Sequence, residues 1–149
     1  MKNKTITAIA IALGLAASAH AEIVESVVGA HSAVTVPNNQ FTEVTHITLS
    51  PGLYQIGGLV NIYQSRQLGQ VFAAAAIGMT LTGEDGKVPV YGIQVAQPQV
   101  GTVIPLPLAG QRIKFNSTTI IYLSAYSNQT QDPNPTAIAW GFISATRIQ

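Results

Sequence analysis

From Glu22 onward the chain falls into short runs of β-branched, aromatic and alternating residues, each closed by Gly, Pro, Asn or Asp. This punctuation constrains the fold more than any other feature. Turn signals recurring at roughly 8–12 residues leave no span for a helix of several turns and match the rhythm of an antiparallel β protein. EIVESVVGAHSAVTV predicts one or two short strands broken at Gly29, and Pro37-Asn38-Asn39 predicts a turn. QFTEVTHITLS alternates through Phe41, Thr45, Ile47 and Leu49 before the Pro51-Gly52 turn. In LYQIGGLVNIYQ, Tyr54, Ile56, Val60 and Ile62 share one face at period two, and Gly57-Gly58 predicts a bulge or a close backbone approach.

The run VFAAAAIGMTLTG carries four alanines, yet Gly78, its β-branched flanks and the Glu84-Asp85-Gly86 turn signal favour a strand paired with KVPVYGIQVA. Prolines at 98, 105 and 107 fit an edge strand or a crossing between sheets. STTIIYLSAYS is the most strand-like segment, and NQTQDPNP is a loop. The closing TAIAWGFISATRIQ is apolar on both parities, as a strand covered from both sides would be. Ile138, Trp140 and Phe142 lie on one parity and Ile143 on the other. We expect this strand at the heart of a sheet. Seven to nine strands without a substantial helix predict a jelly-roll β-sandwich, one domain over residues 22–149.

Residues 1–21 have another character. Lys2 and Lys4 precede an apolar core from Ile6 to Leu15, and Ala19-His20-Ala21 is a small-x-small cleavage site, so we expect a signal peptide removed before Glu22. The apolar core is too short to span a bilayer, which needs about 20 residues, and the mature chain has no transmembrane segment. The expected location is secreted or periplasmic. Losing Lys2 and Lys4 leaves five Lys and Arg against six Asp and Glu, and the formal charge moves from +1 to −1. No basic field remains for a nucleic-acid backbone. Charged residues make up 9% of the sequence, far below the ~25% of an average globular domain. With no cysteine, the exported domain must be held by its core and by assembly with copies of itself.

ITLSPGLYQIGGLVNIY, then TTIIYLSAYSN, then AIAWGFISATRIQ follow the order of motifs in a domain of tailed-bacteriophage tail-fibre and other virion proteins, which this chain resembles. The matching positions are Leu49 to Gly57, Ile121 to Ala125 and Ala139 to Ile148. Tyr54 stands where the family pattern has Trp, and Thr146-Arg147 replaces a double-basic pair. More distantly the layout is similar to the tumour-necrosis-factor-like and complement-like jelly rolls. Those folds form trimers with the last strand near the threefold axis, so the resemblance implies a homotrimer with the closing strand near its axis and Arg147 at the mouth, facing an acid of a neighbouring chain.

Little in the residues suggests chemistry. His31 has no carboxylate or second His near it in sequence, and His46 lies three residues after Glu43, on opposite faces of a regular strand. Glu84, Asp85 and Asp132 suit turns, with calcium held by Asp85, Asp132 and loop carbonyls as the alternative use. No serine sits in a nucleophile elbow, and GLYQIGG lacks the spacing of a phosphate-binding loop. We therefore assign no catalytic residue, metal or cofactor. Tyr126, Asn128, Gln129, Asp132 and Asn134 form a candidate ligand surface, since aromatic rings stack on sugars and amides bond to them. Tyr63 and Arg66, with Gln67, form a second. The sequons at Asn116 and Asn128 are incidental in a chain with a bacterial-type leader.

The expected function is an exported, non-enzymatic, homotrimeric module that binds a glycan or a cell-surface partner. The alternative is a self-assembling capsid-, fibre- or matrix-like subunit of phage derivation; a hydrolase ranks third.

Overall fold

The computed structural model describes residues 21–64, 71–82, 90–95, 101–129 and 136–148. They form nine strands and a single 3-10 turn at Ala30–Ser32. The strands are β1 (Ile23–Val28), β2 (Val34–Pro37), β3 (Thr42–Leu49), β4 (Gly52–Gln64), β5 (Val71–Gly78), β6 (Val90–Val95), β7 (Val103–Phe115), β8 (Thr119–Gln129) and β9 (Thr136–Ile148). One sheet has the order β1-β9-β4-β7, with β2 also on β9, and the other the order β3-β8-β5-β6. All named strand pairs are antiparallel. This is a β-sandwich with the strand order of a jelly roll. The expected signal peptide lies outside the described residues, apart from Ala21. Among the described residues no helix is long and apolar enough to cross a membrane.

The alternation in each strand decides what fills the space between the sheets. Tyr54, Ile56, Val60 and Ile62 of β4 are buried completely, as their shared parity predicts. They meet Ile47 and Leu49 of β3 and Ile121 and Leu123 of β8 in one core cluster. Burying side chains of this size contributes about 1.5–3 kcal/mol each. The alanine run is a strand, with Ala73, Ala75 and Ile77 facing this core. Ala74 and Ala76 have the opposite parity and are also buried. Beside them the buried Ser124 hydroxyl donates to the Leu81 carbonyl at 2.5 Å. At the edge, the Ser26 and Thr45 hydroxyls bond at 2.6 Å and link β1 to β3 across the two sheets.

Two irregularities re-aim side chains. In β3 the register slips between Glu43 and Thr45, where Val44 is the extra residue opposite β8. In β7 it slips opposite Gly57: Ile56 pairs with Gln111 but Gly58 with Leu108. The glycine pair of β4 therefore marks a close approach, while the extra residue belongs to the facing strand. A Cβ on Gly58 would lie 2.5 Å from the Phe142 carbonyl, and one on Gly141 would run into the Leu59 carbonyl. These two glycines let β4 and β9 lie together.

The last strand is interior to its sheet, between β1 and β2 on one side and β4 on the other. Its inward face is Ala137, Ala139, Ile143 and Ala145, all buried. Trp140 and Phe142 point outward, Trp140 half-buried and Phe142 39% exposed. The expectation that β9 is covered on both sides is thus corrected for the single chain. Bulky residues from β3, β4 and β8 already fill the gap between sheets, leaving room on β9 for small ones.

Candidate functional site

The outer face of the β3-β8-β5-β6 sheet gathers an aromatic cluster at one end. Tyr126 of β8 stacks at a tilt on Phe41, with ring centroids 5.0 Å apart, and meets Phe72 of β5 edge-on at 6.0 Å. Pairing brings Phe72 opposite Asn128 and Ala74 opposite Tyr126, so Phe72 and Tyr126 are diagonal neighbours. Phe72 is 42% exposed, while Phe41, Tyr126 and Asn128 are half-buried. The Tyr126 hydroxyl donates to Asn39 Oδ1 at 3.2 Å. Asn39 holds a φ of 60°, a left-handed conformation that Asn tolerates, and its N–H donates to the Ser127 carbonyl at 2.9 Å. The surface presents apolar ring area fringed by amides, which suits a ligand with both apolar and hydroxyl-bearing faces.

Of the predicted ligand residues, Tyr126 and Asn128 join this cluster. Asn128 and Gln129, expected in a loop, instead end β8, with Gln129 opposite Val71. Asp132 and Asn134 lie outside the described residues, as do Arg66, Glu84 and Asp85. Phe41, Phe72 and Asn39 escaped the sequence reading because pairing across strands, not spacing along the chain, brings them to Tyr126. Tyr63 is on the other sheet, opposite Ile138 of β9 and Val103 of β7.

The outer face of that other sheet is largely apolar toward the end where Val103 lies. One row runs across it as Val27, Phe142, Leu59 and Pro107, and the next two as Trp140, Asn61 and Pro105, then Ile138, Tyr63 and Val103. Val27 is 66% and Val103 43% exposed. Both are large side chains left in water by a single chain.

Arg147 lies near the end of β9, and within its own chain the acid it meets is Glu22. The guanidinium donates to Glu22 Oε2 at 3.1 Å and to the Pro51 carbonyl at 3.0 Å, and lies 6.0 Å from the Tyr54 ring centroid. Backbone pairing explains the choice: the Arg147 N–H donates to the Glu22 carbonyl at 2.8 Å, which places the two side chains together.

Glu43 and His46 were expected on opposite faces and are not. His46 Nδ1 is 2.7 Å from Glu43 Oε1, because the extra residue at Val44 flips the parity between them. The pair is exposed and stands alone as a chelate: the described residues contain no group of three or more His, Cys, Asp and Glu that could hold a metal.

No family model matches the chain, and no curated protein matches it. Solved structures do. The VP2 protein of infectious bursal disease virus, as a D431N mutant in T=1 particles, is similar over 95% of this chain with a TM-score of 0.55 and 15% identity. The infectious bursal disease virus Gt strain structure gives 0.57 at 15% identity, and the VP2 subviral particle 0.55 at 14%. The chain spans 36%, 38% and 37% of those chains, little more than a third of each. At such identity the likeness is one of fold alone, that of a β-sandwich.

Proposed function

We propose that the protein is a non-enzymatic structural subunit that assembles with copies of itself outside the cytoplasm, on a capsid-like jelly roll. The observation that carries this reading is the outer face of β1-β9-β4-β7, where Val27, Trp140, Phe142 and Val103 form an apolar surface in a chain with only 9% charged residues. The particle-forming VP2 structures, similar in fold, support it. Residues 1–21 supply the export signal in this reading. Light scattering and electron microscopy of the purified protein test it: discrete or extended homo-assemblies are expected, and a monomer at all concentrations would overturn it.

A second reading is favoured by the Phe41–Tyr126–Phe72 cluster, which suits a homotrimeric attachment module binding a glycan. Binding on a glycan array that Phe72→Ala removes without loss of assembly is the expected signature; a blank array would reject it.

A further inference from the structure

We infer that the outer face of β1-β9-β4-β7 packs against the same face of a second copy, about a two-fold axis running along the strands between β9 and β4. The inference rests on the structural-subunit reading and specifies its first contact. Two features of the sheet select this geometry.

The first is charge. Glu25 projects from the outer face at the β1 edge, and Arg112 and Lys114 project from the same face at the β7 edge. At that end Arg112 lies one row from Glu25, and Lys114, paired with Leu53 opposite Ile148, lies two rows away. Glu25 pairs with Ser144, which is opposite Gly57; Arg112 pairs with Gln55, which is opposite Thr146. Neither Glu25 nor Lys114 has a side-chain partner among the described residues, and Arg112 makes one bond there, its Nε donating to Gln55 Oε1 at 3.4 Å. Rotating a copy by a half turn about the strand direction exchanges the two edges and keeps the rows in step. The acid of each chain then lies one row from Arg112 of the other, with Lys114 a row further on, twice in one dimer. A half turn about the perpendicular in-plane axis sets β7 over β7 and stacks the charged end on the apolar row of Val103. Self-complementarity selects the first.

The second feature is apolar matching at the centre. Under the same rotation Phe142 faces Leu59 and Ile138 faces Tyr63 of the copy, since these pairs flank the axis. Four strands and four rows give each face roughly 19 by 27 Å, so two faces bury about 1,000 Å², the lower bound for a specific interface. The competing contact, sheet extension edge to edge, is opposed at β7 by Pro105 and Pro107, which lack the N–H a further strand would need.

The test mixes natural-abundance and nitrogen-labelled full-length chains and treats them with a carbodiimide, which joins a carboxylate to an amine only in contact. In an Arg112→Lys variant, an isopeptide between Glu25 and position 112 of differently labelled chains is expected by mass spectrometry. Glu25→Lys should weaken dimerisation by about tenfold or more at low salt, and adding Arg112→Glu with Lys114→Glu should restore it. A merely structural role for these residues predicts no such rescue. Phe142→Glu, on an exposed position, should leave the β circular-dichroism spectrum intact and abolish the dimer. Self-association without that link, indifferent to Phe142→Glu and to charge reversal, overturns this contact and leaves the structural-subunit reading standing. A chain that stays monomeric overturns both.

Discussion

Arg147 and Glu22, separated by 125 positions in sequence, form an ion pair at 3.1 Å that ties the segment entering β1 to the end of β9. Both side chains are nearly half exposed, so the pair itself contributes little, about 0.2–1 kcal/mol. Arg147 does more than pair, because it also bonds to the Pro51 carbonyl and lies over Tyr54. Arg147→Ala is therefore expected to cost about 1–2 kcal/mol in urea unfolding, and Glu22→Gln less than 1. Equal costs would show that the ion pair is the whole effect.

Gly141 has no room for a side chain, since a Cβ would collide with the Leu59 carbonyl of the neighbouring strand. Backbone cannot swing aside as a side chain can. Gly141→Ala should destabilise the fold by about 1–3 kcal/mol, measured by thermal and denaturant unfolding. Gly29→Ala, with nothing within 4 Å of the new carbon, is the control and should change stability little.

Tyr54 is completely buried, and its hydroxyl has no hydrogen-bond partner among the described residues. A buried polar group without a partner opposes folding, while the ring packs with Phe115 at 6.3 Å. Tyr54→Phe should be neutral or stabilising by up to about 1 kcal/mol, and Tyr54→Ala should cost about 3–5 kcal/mol. A marked loss of stability in Tyr54→Phe would reveal a bond to the hydroxyl.

Pro105 and Pro107 occupy an exposed edge strand. Replacing both with Thr restores two N–H donors on a strand otherwise suited to pairing. The double variant should fold with the same circular-dichroism spectrum and form larger, open-ended aggregates, seen as a concentration-dependent rise in light scattering. Unchanged scattering would show that the edge is covered by other means.

His46 and Glu43 offer two ligands where a zinc site needs three or four. Added zinc should leave the melting temperature unchanged, and His46→Ala should cost less than about 0.5 kcal/mol. A rise of several degrees with zinc would mean that further ligands converge on the pair.

Strand by strand, local pattern and outcome agree where one parity is apolar and the other polar. In β4 the shared parity of Tyr54, Ile56, Val60 and Ile62 names the core directly. The Ala73–Ala76 run is legible as a strand from Gly78 and its β-branched flanks. Elsewhere the pattern is degenerate. Along β9 both parities are apolar, and nothing local says whether Ile143 or Trp140 faces inward. In β3 a one-residue slip, invisible to any count of positions, puts His46 beside Glu43. The cluster around Tyr126 draws Phe41 and Phe72 from separate strands, so its members share no motif.

The residues alone determined most of the strands and the inner face of β4, because period-two alternation and turn chemistry act over a few neighbours. Which face of β9 enters the core, which carboxylate Arg147 meets and which rings gather at Tyr126 were decided only when the two sheets stacked. Those choices depend on register and on the volume already filled from the opposite side, and both are set by residues far away in the chain.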